Sequence, residues 1–225
     1  MSYSVVFYSI SYFLFFLLLL ISKKRKGLRL FDEDGLVSNP RLLILLHVGG
    51  IVLFGAVPFL FDHAAAFVLF KNAAVWEPLT SIIVLLTILL LFISPRLAEK
   101  KCRKFLDSAT RHASPDKKFI ITYFLVRILF ICFYECWFRG FLLNDCIATF
   151  GIGWAIVLNI CLYAILHIVN GKDEVIACFP FGLLLCCLCI WQGAVWPAVA
   201  LHLALTVPYE MSFLKKINIR RVATV

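Results

Sequence analysis

Apolar stretches at Val5–Ile21, Leu42–Phe61, Leu79–Ile93, Phe119–Leu143, Ile152–Val169, Val175–Trp191 and Val195–Leu214 occupy most of this chain. Each approaches the roughly 20 residues that a helix needs to cross a hydrocarbon core of about 30 Å. A backbone surrounded by lipid must satisfy its own hydrogen bonds, which leaves helices or closed barrels. The runs are continuous rather than alternating, so they read as helices. Hydrophobic residues make up 63% of the sequence and charged ones only 16%, against about 25% charged in soluble domains. The expected fold class is therefore all-α: a polytopic membrane helical bundle of about seven transmembrane helices. We expect one membrane domain, with N-terminal helices over residues 1–118, a second half over 119–214 and a basic tail over 215–225. Asp62–Glu77 reads either as an outer loop with an interfacial turn or as half of an eighth helix. Trp76 suits the headgroup level, and Pro78 suits a fresh helix start.

The cations set an orientation. Six Lys and Arg in Lys23–Arg41, eight in Arg96–Lys118, Lys172 alone and four in Lys215–Arg221 place 19 of the 22 on one side. The positive-inside rule then puts the N-terminus outside and the C-terminus in the cytoplasm. The net charge of +9 reads as topology plus attraction to anionic lipid. Nucleic acid is not an expected partner, because no basic patch carries an aromatic or groove-reading pattern. The first run lacks a positive n-region and a small-residue cleavage site and is followed by Lys23–Lys26, so it reads as a retained anchor rather than a signal peptide. The implied location is a bacterial plasma membrane, or the endoplasmic reticulum for a eukaryotic chain. Seven of the nine cysteines fall inside the runs and read as small buried hydrophobes, with no disulfide framework or zinc-knuckle spacing. Cys132 and Cys136 flank Glu135 one turn apart.

Charge inside such runs costs several kcal/mol, at least about 2.5 to 3.5 on the mildest scale, so it marks sites or polar cavities. Glu135 and Arg139 stand at i and i+4, on one helix face, where a paired carboxylate stays ionised. The competing reading is a structural ion pair that locks helices together. His167 follows Tyr163, and Thr206 follows His202, at the same one-turn spacing. We expect Glu135, His167 and His202 to face one interior cavity.

In order and spacing these segments resemble the CAAX protease and bacteriocin-processing family, the Abi or type II CAAX prenyl endopeptidases. The segments that carry the resemblance are Tyr134–Leu142 (YECWFRGFL), Tyr163–His167 and Gly193–Thr206 (GAVWPAVALHLALT), within about Phe119–Tyr209. The resemblance implies intramembrane cleavage of a peptide bond in a membrane-associated or lipidated peptide, with the lipid bilayer and that peptide as partners. It also implies catalytic roles for Glu135, Arg139, His167, His202 and Thr206. In the family the first of two adjacent glutamates and a histidine activate water, while a later histidine and asparagine stabilise the oxyanion.

Two positions depart from that pattern. Tyr134 stands where the first glutamate belongs, and Thr206 where the asparagine does. A phenol with an ordinary pKa near 10 is a poor base at neutral pH. Glu135 lies about 100° around a helix from Tyr134. The alternative to an active protease is therefore a catalytically degenerate relative that holds a peptide, a lipid or a partner protein in the same cavity. A transporter is disfavoured, since no inverted repeat or paired broken helix is visible. Glu135, His167 and His202 are also candidates for a divalent metal such as zinc with an open fourth position. The absence of H-E-x-x-H and the charge of Arg139 argue against it.

Overall fold

The computed structural model describes residues 3–32, 35–56, 58, 78–108 and 116–222. The described residues form a helical bundle. Helix α1 spans Tyr3–Lys24, and a two-residue antiparallel ladder follows, Phe31–Asp32 (β1) against Gly35–Leu36 (β2). Helix α2, Pro40–Ile51, starts where Asn39 accepts the Leu42 amide at 3.1 Å with Pro40 behind it, satisfying one of the free amides of a first turn. It runs on into a π-helical turn, Val52–Ala56. Then come α3 (Pro78–Ser108), α4 (Lys117–Glu135), α5 (Leu143–His167), α6 (Lys172–Gln192) and α7 (Trp196–Val222). The segment Asp62–Glu77, open between loop and half-helix, lies outside the described residues.

Among the described residues, four helices are long and apolar enough to cross a membrane: Val6–Lys24, Pro78–Lys100, Lys117–Asn170 and Lys172–Gln192. The third is a single 54-residue stretch. At about 1.5 Å per residue it would reach roughly 80 Å, well over twice the hydrocarbon thickness. Gly151 resolves this: its φ of 79° and ψ of 166° break α5 into two helices. That conformation suits a residue without Cβ. The chain is thus a helical, membrane-embedded protein. Between the runs ending at Leu143 and starting at Ile152 the sequence leaves a gap, yet the helix continues through it to Gly151. The reason is local. Asn144 donates to the Gly140 carbonyl at 2.7 Å and Thr149 to the Asp145 carbonyl at 2.8 Å, so both polar side chains bond back along the helix instead of opening a turn.

The core is aromatic. Trp137 is 1% exposed and packs edge-on to Tyr8 and Phe138, stacked on Tyr12, and tilted against Phe54. Tyr12 also donates to the Leu162 carbonyl at 2.8 Å, tying α1 to α5. Helices α3 and α7 lie along one another. Ser94 of α3 donates to the Leu205 carbonyl at 2.5 Å, next to the point where Pro208 removes a rung from the α7 ladder.

Candidate active site

Helix α4 does not end after Glu135; it widens into a π-helical segment, Cys136–Leu142, before resuming as α5. Such segments are uncommon and concentrate at functional sites. They also shift the angular phase of every residue that follows. Here the Phe138 carbonyl accepts the Leu143 amide across the widened turn and a second donor from outside, the Asn159 side chain, at 2.6 Å. Asn159 is 0% exposed, and its own carbonyl oxygen accepts the Cys186 thiol at 3.3 Å. A lone amide within an apolar run is the sequence signal for such a residue, and it belongs to none of the one-turn polar pairs.

Glu135, the last residue of α4, is fully buried. Its two oxygens have different partners. Oε2 lies 3.1 Å from the Arg139 guanidinium, and Oε1 accepts from Nδ1 of His202 on α7 at 2.5 Å. Arg139, 2% exposed, lies with its guanidinium carbon 4.4 Å from the Tyr163 ring and 5.5 Å from that of Phe138. Its second face therefore meets π-electron density rather than water. A Cβ on Gly182 would stand 3.6 Å from this guanidinium, at ordinary van der Waals distance, so α6 packs directly over it.

His202 donates Nδ1–H to a carboxylate, which fixes its tautomer and leaves the Nε2 lone pair free. Its side chain is 12% exposed where that of Glu135 is 0%. His167, at the end of α5, donates Nδ1–H to the Tyr163 carbonyl at 2.9 Å and so also presents Nε2 as a lone pair. Its ring is 4.6 Å from that of Tyr163, and it lies within electrostatic reach of Glu135 and His202. Thr206 lies one turn beyond His202 on α7, half-buried. Tyr134 is 3% exposed, with its ring 6.2 Å edge-on to His202 and 6.0 Å from Tyr163. Its hydroxyl has no hydrogen-bond partner among the described residues. Cys132 and Cys136 are free thiols beside Glu135. No group of three or more His, Cys, Asp or Glu side chains converges as a metal-ligand set among the described residues.

Glu135 and Arg139 from α4 and the π segment, and His202 from α7, thus meet directly, with His167 and Tyr134 around them. This places a carboxylate, a guanidinium and two imidazole lone pairs in an enclosed, mostly apolar setting, where electrostatic interactions are stronger than in water. No curated protein and no solved structure matches the chain. Residues 116–207, which hold every one of these groups, match the model of the type II CAAX prenyl endopeptidase Rce1-like family.

Proposed function

We propose that the protein is an intramembrane endopeptidase that hydrolyses a peptide bond in a membrane-associated or lipidated peptide. The observation that carries this reading is the 2.5 Å contact from His202 Nδ1 to Glu135, inside the segment that matches the family. Glu135 has both oxygens engaged and no exposed surface. Its role in the proposal is therefore to orient His202 and to stabilise its charged form, as the carboxylate does in a triad. Arg139 holds the carboxylate in place.

His202 Nε2 takes a proton from water as the oxygen attacks the carbonyl carbon, and the carbonyl electrons move to oxygen to give a tetrahedral oxyanion. Collapse of that oxyanion breaks the C–N bond, and the imidazolium returns the proton to the leaving amine. His167 and Thr206 are the candidates to position water and the oxyanion. The seven-span arrangement, with the N-terminus outside and the basic C-terminal end in the cytoplasm, belongs to the same proposal. So does the bilayer as the setting in which the peptide is met.

The test is cleavage of a fluorogenic peptide carrying a C-terminal lipidated CAAX sequence, by purified protein in lipid nanodiscs. Glu135→Gln and His202→Ala should each lower kcat by about 10²- to 10⁴-fold, the usual effect of losing acid–base machinery, while the protein stays folded. An inactive wild type that gains cleavage in Tyr134→Glu would overturn the proposal in favour of a degenerate, peptide-holding relative.

A further inference from the structure

A second buried polar cluster lies along the same two helices. Glu210 of α7 accepts from the Tyr123 hydroxyl at 2.9 Å, and its other oxygen is 3.4 Å from the guanidinium of Arg127 on α4. Arg127 in turn donates to His47 Nε2 on α2 at 3.0 Å, and His47 spends its Nδ1–H on the Leu43 carbonyl at 2.7 Å. The hydrogen bonds order the whole chain of groups from α2 through α4 to α7. Arg127 and Glu210 keep only 22% and 12% of their side-chain surface exposed. Glu210 and His47 lie outside the stretch that matches the family, residues 116–207.

The spacing relates this cluster to the first. Arg127 and Glu135 are eight residues apart on α4, and His202 and Glu210 are eight apart on α7. Eight residues is about 12 Å of helix, with both ends on one face. Glu135 meets His202 while Arg127 meets Glu210, so α4 and α7 run antiparallel and their polar contacts form two rungs in register. Ile131, fully buried, and Thr206 stand midway on their respective helices. A single contact between two helices leaves them free to roll and to slide by a fraction of a turn. A second contact two turns away removes both motions. Pro208 falls between the rungs and withdraws one backbone hydrogen bond from α7. The backbone there is softened, and a side-chain tie supplies what it lacks.

We propose that Arg127 and Glu210 are positioning residues, which set the register of α7 against α4 so that His202 Nδ1 closes on Glu135. This rests on the reading of Glu135 and His202 as the working pair. A purely structural ion pair would change how much protein folds. A positioning pair changes the His202–Glu135 hydrogen bond and kcat in protein that has folded. A misplacement of about 1 Å can cost about 10²-fold in rate.

The experiment uses the full chain in nanodiscs as wild type, Arg127→Met, Glu210→Gln and Arg127→Lys, with two readouts. One is the far-downfield proton resonance of His202 Nδ1–H, assigned by its loss in Glu135→Gln. The other is kcat and KM on the lipidated peptide. The expected result is loss or displacement of the resonance in Arg127→Met and Glu210→Gln, with kcat down about 10²-fold and KM nearly unchanged. Arg127→Lys, which keeps the charge and can reach both partners, should retain the resonance. Should Arg127→Met fail to fold, the isosteric Glu210→Gln decides. A cleaving wild type whose resonance and kcat are both unmoved by Glu210→Gln overturns the positioning role and leaves the hydrolase standing. A wild type that shows the resonance but cleaves nothing overturns the hydrolase, and the resonance still decides the register.

Discussion

Replacing Arg139 by methionine removes the cation that faces one oxygen of Glu135 and leaves that carboxylate only its contact with His202. Arg139 is 2% exposed, its partner Glu135 is 0% exposed, and 3.1 Å separates them. Methionine fills a similar volume and still packs on Tyr163 and Phe138, so little of the loss comes from a cavity. What is left is a carboxylate held by His202 alone. Breaking a buried pair from one side costs about 3–5 kcal/mol, because the remaining charge has no compensation. For a chain of this length each kcal/mol corresponds to about 2–4 °C in Tm, so the expected fall is on the order of 10 °C. Glu135→Gln combined with Arg139→Met leaves neither charge, and most of that fall should be recovered. Heating the four proteins of this cycle in detergent and following the folded, monodisperse fraction by size exclusion measures the coupling. If the double variant loses as much as the two single losses added together, Glu135 and Arg139 are not coupled and the electrostatic account of the site fails.

Other outcomes follow from close packing and topology. A Cβ on Gly50 would lie 2.3 Å from Phe130 Cε2 and 2.9 Å from Phe15 Cε2, so Gly50→Ala should destabilise by about 1–3 kcal/mol through overpacking. Gly153 has nothing within 4 Å of the same position, and Gly153→Ala in the same thermal assay should raise stability by roughly 0.5–1 kcal/mol through helix propensity. Asn159→Leu removes the 2.6 Å bond to the Phe138 carbonyl, which keeps the Leu143 amide, and should cost about 0.5–1.5 kcal/mol, the net worth of one hydrogen bond; a loss below the error of the assay would show that Asn159 does not stabilise the widened turn. Lys215→Cys, read against the parent chain, should resist a membrane-impermeant thiol reagent in intact cells, and ready labelling would overturn the proposed orientation.

The Glu135–Arg139 pair was legible because its members are four apart on one helix, and the pairing needs nothing beyond that spacing. The helices over the apolar runs were legible for a similar reason, since hydrophobicity at membrane length leaves the backbone few options. What the sequence concealed lies between elements. The π segment Cys136–Leu142 inserts its extra residue without a glycine or proline at its start. Asn159, some twenty residues on, adds a second donor to the Phe138 carbonyl within it, and a local pattern cannot report a donor that arrives from another helix. The continuation of α5 up to Gly151 was hidden for a related reason. Asn144, Asp145 and Thr149 look like loop residues by composition, yet Asn144 and Thr149 turn their polar groups back onto their own helix.

Counted along separate straight spans at about 1.5 Å per residue, Glu135 and His202 would fall towards one face of the membrane and His167 towards the other. The chain is not built from straight spans here: a widened turn follows Glu135 and a glycine break divides α5 before His167. Arg127 and Glu210 were legible only as unexplained charges, since their relation to the site is the equality of two eight-residue intervals on helices that run in opposite directions. That equality means something only once α4 and α7 are known to be neighbours. The site is thus written in the sequence as residue types and intervals, and the antiparallel packing of two helices distant in the chain turns those intervals into contacts.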